Sequence, residues 1–245
     1  PLYSSAASDV YKRQVPTFIH EANAFAGKAN QWLGKNATKI FTGTKGMEQF
    51  FPASKILITG NPVRQNIAHG FIEKEAALLK FGLLPNKFTI LIIGGSLGAA
   101  SINKAIQQGL SKCASMDLQL IWQTGKPNAS DYKEAANSFG NVFVESFIND
   151  MQAAYTAADL VISRSGAMAV AEIAITGKPC VFVPYPHAAE DHQTFNAKVL
   201  VDDNAALMIA DKNVTNELMP MIEELVSNKV LLNEMGAKIQ SFAWI

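Results

Sequence analysis

Residues 160–183 read Leu-Val-Ile-Ser-Arg-Ser-Gly-Ala-Met-Ala-Val-Ala-Glu-Ile-Ala-Ile-Thr-Gly-Lys-Pro-Cys-Val-Phe-Val. A short apolar run, Leu160–Ile162, breaks at Ser163-Arg164-Ser165-Gly166, and Ala167–Thr176 then carries helical spacing. A second apolar run, Cys180–Val183, leads on to Asp191-His192-Gln193-Thr194-Phe195-Asn196-Ala197. Strand, turn, helix and strand in this order make a parallel βαβ unit. The turn that opens the helix points unpaired backbone N–H groups, and the positive end of the helix dipole, at whatever lies in front. Glu172 sits roughly two helical turns further in, where a carboxylate suits vicinal hydroxyls better than phosphate. His192, Gln193 and Asn196 offer groups that read sugar hydroxyls. The layout suits a nucleotide sugar.

The same alternation runs outward in both directions. Apolar runs at Thr89–Ile93, Leu118–Trp122, Val142–Val144 and Leu207–Ile209 are short and rich in branched residues. Between the runs, helical spacing recurs at Ser101–Leu110, Asp131–Ser138, Met151–Ala157 and Phe195–Val201, and Glu217–Ser227 and Leu231–Phe242 read as closing helices. Apolar strands alternating with helices predict an α/β fold with a doubly wound, Rossmann-like parallel sheet covered on both faces. Upstream, Thr17–Ile19, Lys39–Phe41 and Ile56–Ile58 read as strands, Gly27–Lys35 as a helix and Lys45–Phe50 as a short one. Gly60-Asn61-Pro62 breaks the chain, because proline lacks an N–H and restricts its predecessor. Arg64–Phe71 reads as a linker.

Ligands of such sheets bind beyond the carboxyl ends of the strands. Gly94-Gly95-Ser96-Leu97-Gly98 follows a strand and opens a helix, so its backbone N–H groups suit a diphosphate, while a tight packing turn is the plain alternative. It is neither G-x-G-x-x-G nor a Walker sequence. Arg164 beside Gly166 suits phosphate oxygens or a structural ion pair. Arg64 reaches the same ligand from the hinge or is simply solvated. Glu172 among Val170, Ala171, Ile173 and Ala174 needs a partner or a site, since an unpaired buried charge is costly. His20-Glu21 reads as acid–base chemistry or, more plainly, as a loop histidine that orients the chain. His187 and His192 stand too far from other ligand types to predict a metal.

Composition narrows the classes. Among 245 residues, Lys+Arg and Asp+Glu are both 21, so bulk charge gives no argument for nucleic acid. A hydrophobic content of 49% with 17% charged residues describes a folded globular chain. Cys113 and Cys180 lack metal-ligand spacing and read as buried, reduced thiols. No apolar run is long enough to span a bilayer. Residues 1–14 match nothing that follows, and Asp9–Gln14 back-translates to a sequence resembling a sequencing-library adapter. We expect residues 1–14 to be a non-native leader. Beginning in a strand at Val15 and ending in a helix at Ile245, the chain reads as a piece of a longer protein.

Taken in order, six segments carry a resemblance. They are His20-Glu21-Ala22-Asn23…Gly27, Gly60-Asn61-Pro62-Val63-Arg64, Gly94–Ala99, Phe147-Ile148-Asn149-Asp150-Met151, Ser163–Ala167 with Glu172, and Asp191–Ala197. The set resembles the undecaprenyldiphospho-muramoylpentapeptide β-N-acetylglucosaminyltransferases of glycosyltransferase family 28, from about Val15 onward. The resemblance implies a two-domain GT-B enzyme: residues 15–64 as the end of an acceptor domain and 65–245 as the UDP-GlcNAc-binding domain. It implies that Asn23 touches the donor sugar, that Arg64 and Ser96 touch the nucleotide sugar, and that Ile148 meets uracil through its backbone. Ala167, Met168, Ala169, Val170, Ala171 and Glu172 would hold diphosphate and ribose, and Gln193 the GlcNAc hydroxyls. Gly95, Arg164, Gly166, His192 and Asn196 are further candidates. The implied reaction is inverting transfer of GlcNAc to the C4 hydroxyl of a lipid-linked MurNAc-pentapeptide, lipid I, giving lipid II. No cofactor and no metal are implied, and the implied place is peripheral, on the cytoplasmic face of the bacterial inner membrane.

Departures from the family pattern stand at Ala22 and Leu97, where many members have Gln, and at Ala169, often Thr. The family's glycine-rich loop with its histidine, a candidate for the base, has no counterpart here, so the chain alone is expected to bind donor without turnover. Rival readings are another GT-B transferase such as a diacylglycerol glycosyltransferase, a UDP-GlcNAc epimerase, and a non-catalytic nucleotide-binding module.

Overall fold

The computed structural model describes residues 15–95 and 98–244. The expected leader, residues 1–14, lies outside them. Two parallel sheets organise the described residues. The first has three strands, β1 (Phe18–Glu21), β2 (Lys39–Thr42) and β3 (Ile56–Ile58), in that order. Helix α1 (Lys28–Gly34) crosses between β1 and β2. The short helix expected over Lys45–Phe50 is a single 3-10 turn, Met47–Gln49, entered through Gly46 at φ +80°. Ala26, Ala37, Ile40, Met47 and Phe51 form a small core beneath this sheet.

The second sheet holds β4 (Thr89–Ile93), β5 (Gln119–Gln123), β6 (Val142–Glu145), β7 (Leu160–Ser163), β8 (Cys180–Phe182) and β9 (Leu207–Met208). Its strand order is β6-β5-β4-β7-β8-β9, all parallel. The chain winds outward one way from β4 and the other way from β7, so their carboxyl ends, where Ile93 pairs with Ser163, form the topological switch point. Side-chain alternation shows why both faces are covered. Ile90 and Ile92 pack on one side and Leu91 and Ile93 on the other, each in its own core. Fully burying each such side chain contributes about 1.5–3 kcal/mol.

One face is covered by α4 (Ala100–Ser115), α5 (Ala129–Ala136) and α9 (Val214–Ser227), through Ile102, Ile106, Tyr132, Leu218 and Ile222. The other is covered by α3 (Lys74–Lys80), α6 (Met151–Ala157), α7 (Ala167–Thr176) and α8 (His192–Val201). Helix α10 (Lys229–Gln240) closes the domain. It begins before the expected Leu231 because the Asn228 side chain accepts from Leu231 N–H at 3.0 Å and caps it.

One expectation is corrected. Arg64–Phe71 is not a bare linker, since Gln65–His69 forms a helix, α2. Ile67, 6% exposed, inserts into the core beside α6, and Ala68 N–H closes on Arg64 O at 3.1 Å. Burial of one apolar side chain decides a turn that Gly60, Pro62 and Gly70 alone would leave irregular. Both thiols are free and buried. Burial pushes Cys113 up to about 11 and Cys180 well above the ordinary thiol range.

The two sheets meet along a polar seam. Asn196 of α8 accepts from Ala24 N–H at 2.7 Å and donates to Asn23 Oδ1 and Ser165 O, both at 3.1 Å. Phe25 stacks on Phe195 with centroids 4.7 Å apart. Trp244 lies so close to Gly60 that a Cβ there would meet the Trp244 Cβ at 2.5 Å.

Candidate functional site

A cleft of about 800 Å³ opens along the carboxyl ends of β4, β5 and β7. Two helices point their N-termini into this region, α4 from the Gly94–Gly98 loop and α7 from Gly166. Neither N-terminus has a side-chain cap. The N–H groups of their first turns are therefore left for an anion, which the helix dipoles favour. Gly98 makes the first approach possible. It adopts φ +74°, and a Cβ would lie 2.2 Å from the Thr124 carbonyl oxygen. Only glycine fits between these backbones.

Gln123, at the end of β5, ties two loops together. Its Oε1 accepts from Ile148 N–H at 2.9 Å, and its Nε2 donates to Gly95 O at 3.3 Å. A ligand that takes the Ile148 N–H must displace Gln123, whereas one that reads the Ile148 carbonyl need not.

Glu172 is 8% exposed and has two protein partners. Arg64 Nε and Nη2 donate to its Oε1 at 3.0 and 2.8 Å. Tyr155, from α6, donates its hydroxyl to Oε2 at 3.1 Å. Burial, and then the neighbouring carboxylate, push the Tyr155 phenol well above its ordinary range, which keeps it a donor. Glu172 thus has the partners its burial requires, and of the alternatives read for Arg64 the free solvated cation is excluded.

Arg164 takes the ion-pair alternative. Its Nη1 donates to the carbonyls of Val183 and Pro184 at 3.0 Å and to Asp211 Oδ1 at 2.5 Å, and its Nη2 to Ser101 Oγ at 3.1 Å. The guanidinium joins the start of α4, the end of β8 and the turn after β9. Its work is to hold these loops at one edge. His20 behaves as the orienting histidine, its Nε2 lying 3.1 Å from Gly60 O. The Glu21 carboxylate accepts from Asn23 N–H, Gly27 N–H and Asn30 Nδ2, so it braces its own loop.

The candidates read from sequence divide between two places. Arg64, Gly95, Ile148, Arg164 and Gly166 line the large cleft, with Ala169, Glu172 and Gln193. Gln193 Oε1 there accepts from Tyr185 N–H at 3.0 Å. Ala167, Val170, Ala171 and Asn196 instead line a pocket of about 40 Å³ at the seam between the sheets, which Asn23 reaches through Asn196. Met168 and His192 line neither, and His192 Nδ1 faces Ala189 O at 2.6 Å. Ser96 lies outside the described residues. Tyr155, Ser101 and Asp211 join these sites without a signal of their own in the sequence pattern. A tyrosine inside an apolar helical run reads as core, and only the burial of Glu172 nearby signals its second role. Among the described residues no group of three or more His, Cys, Asp or Glu side chains is placed to hold a metal ion.

Comparison with known proteins places this geometry. The glycosyltransferase family 28 C-terminal domain matches residues 89–244. A UDP-N-acetylglucosamine–N-acetylmuramyl-(pentapeptide) pyrophosphoryl-undecaprenol N-acetylglucosamine transferase of Parabacteroides distasonis is 48% identical over 231 residues, covering 94% of this chain and 63% of the relative. The Bacteroides fragilis protein of the same name is 47% identical over 233 residues, covering 94% and 61%. The chain thus spans somewhat under two thirds of these relatives. The crystal structure of Acinetobacter baumannii MurG superposes with a TM-score of 0.75 at 33% identity, over 97% of this chain and 66% of that one. That likeness gives the fold as GT-B. The S. aureus MnaA–UDP co-structure, at 16% identity, TM-score 0.64 and coverage of 96% and 67%, shares the fold alone. With its helix-opening glycine loop, its switch-point cleft and a matched domain over most of its length, this chain belongs to glycosyltransferase family 28.

Proposed function

We propose that the cleft holds UDP-GlcNAc and forms the donor side of an inverting N-acetylglucosaminyl transfer to lipid-linked MurNAc-pentapeptide. The observation that carries this reading is a buried carboxylate, Glu172, set beyond two uncapped helix N-termini in one cleft. Diphosphate suits the helix ends, and the ribose hydroxyls suit Glu172. Uracil suits the Ile148 backbone, and Gln193 suits the sugar hydroxyls. The names of the relatives from Parabacteroides distasonis and Bacteroides fragilis support both donor and acceptor.

In the proposed reaction, the acceptor C4 hydroxyl oxygen attacks the anomeric carbon of α-linked GlcNAc. The bond from that carbon to UDP breaks, a β-1,4 bond forms, and the hydroxyl proton passes to a base that we do not assign to the cleft residues. Negative charge grows on the leaving diphosphate. The ends of α4 and α7 are fixed dipoles aimed at that charge, so they act without reorganising. We take residues 65–245 as the donor-binding part and 15–64 as the acceptor-side part. A lipid-linked acceptor sets the work at a membrane, and we place it peripherally on the cytoplasmic face. No described helix is long and apolar enough to cross a bilayer.

A thermal-shift comparison tests the donor. UDP-GlcNAc is expected to raise Tm more than UDP-glucose, NAD is expected to leave it unchanged, and Glu172→Ala is expected to remove the UDP-GlcNAc shift. Equal shifts for NAD and UDP-GlcNAc, or a full shift in Glu172→Ala, contradict the reading.

A further inference from the structure

Glu172 faces a conflict of occupancy. A carboxylate has roughly four lone-pair sites. Arg64 Nε and Nη2 fill both sites on Oε1, and the Tyr155 hydroxyl fills one on Oε2. One acceptor position remains, and a vicinal diol that donates both its hydroxyls needs two. The carboxylate in this arrangement is closed to the ligand group that it suits best.

The three partners are not equally fixed. Tyr155 is 1% exposed and packed within α6, so its hydroxyl stays where it is. The Arg64 side chain is 48% exposed and stands at the N-cap of α2, directly after the Gly60–Val63 segment joining the two sheets. The half-solvated guanidinium has water as an alternative partner, and hydroxyls that take its place keep the buried carboxylate hydrogen-bonded, so the exchange avoids the cost of leaving Glu172 unpaired. Arg64 also lines the same cleft as Gly95 and Gly166, so a released guanidinium remains beside the two helix ends, where the proposed diphosphate lies.

We propose that Arg64 is a displaceable self-ligand: it occupies Glu172 in the empty cleft and yields it to the vicinal hydroxyls of a bound nucleoside. The inference rests on the reading of Glu172 as the ribose carboxylate. It adds that ribose binding and Arg64 release are one event, which hands the guanidinium to the diphosphate. A nucleoside alone then opposes the latch without compensation, whereas a nucleoside diphosphate regains Arg64 as a phosphate partner. Removal of Arg64 therefore has opposite effects on the two ligands. Loss of a cation by itself weakens the diphosphate and does nothing for the neutral nucleoside.

The experiment titrates uridine, 2′,3′-dideoxyuridine and UDP against the chain, Arg64→Ala, the milder Arg64→Gln, and Glu172→Gln, with NMR detection at pH 8. Expected is uridine binding tighter by about two- to fivefold in both Arg64 variants, the span of an exchange in which the half-solvated guanidinium gives up one partner and the ribose hydroxyls take it. Dideoxyuridine is expected to be unchanged, and UDP weaker. Uridine binding that is unchanged or weaker in both Arg64 variants overturns the latch. If Glu172→Gln in that case still erases the preference for uridine over dideoxyuridine, the ribose reading stands. A chain that binds uridine and dideoxyuridine alike overturns both.

Discussion

A charged side chain within an apolar helical face is informative because its burial must be compensated. Glu172 was legible for that reason: Val170, Ala171, Ile173 and Ala174 surround it in sequence, and the fold indeed buries it. What compensates it was not legible. Arg64 arrives from the hinge and Tyr155 from another helix, and neither spacing nor composition encodes that meeting. Arg164 shows the same limit. Its sequence neighbours suit a phosphate site, but its partners are carbonyls of the next strand's end and the distant Asp211. Because the Arg164 and Asp211 side chains are only 12% and 21% exposed, removing one leaves the other poorly solvated. Arg164→Ala is expected to lower unfolding free energy by on the order of 3 kcal/mol, read from the urea midpoint. A loss below about 1 kcal/mol, the value of a surface pair, contradicts the clamp.

Strand and helix types followed directly from alternating and helical spacing, because apolar runs covered on both faces leave little ambiguity over β4–β9. Two helices were missed: α3, whose seven residues bury Ala77 and Leu78, and α2, five residues bracketed by Pro62 and Gly70, where tertiary burial of Ile67 outweighs local breakers. The glycine loop before α4 was legible as a turn, while its contact with Thr124 was not, since it depends on the neighbouring strand. A Cβ on Gly98 would collide with that carbonyl at 2.2 Å. Gly98→Ala is therefore expected to cost about 1–3 kcal/mol of stability and to weaken UDP-GlcNAc roughly tenfold by moving the start of α4. Gly82→Ala is the matched control, with φ +67° and open space around its Cβ. It shares the backbone cost and is expected to leave the affinity unchanged. Calorimetric titration of both variants checks this, and equal affinities for the two contradict the role given to Gly98.

At the scale of the molecule, the candidate residues come from both sheets yet do not converge on one point. Gly95, Ile148, Glu172 and Gln193 share the large cleft, while Asn23 and Asn196 bind each other at the seam. The seam is held by side-chain amides, one aromatic stack and Trp244 against Gly60. The doubly wound sheet and its ligand edge were readable from the order of runs, because topology constrains where loops emerge. Which loops touch was not readable, since that depends on how the two sheets are set against each other. The latch at Arg64 spans this junction, so nucleotide binding and the junction share a residue. A crystal structure of the chain with UDP-GlcNAc tests the central claim most directly. We predict diphosphate across the N-termini of α4 and α7, ribose hydroxyls on Glu172 with Arg64 released, and the base at Ile148. Diphosphate bound away from both helix ends, with Arg64 still on Glu172, would contradict it.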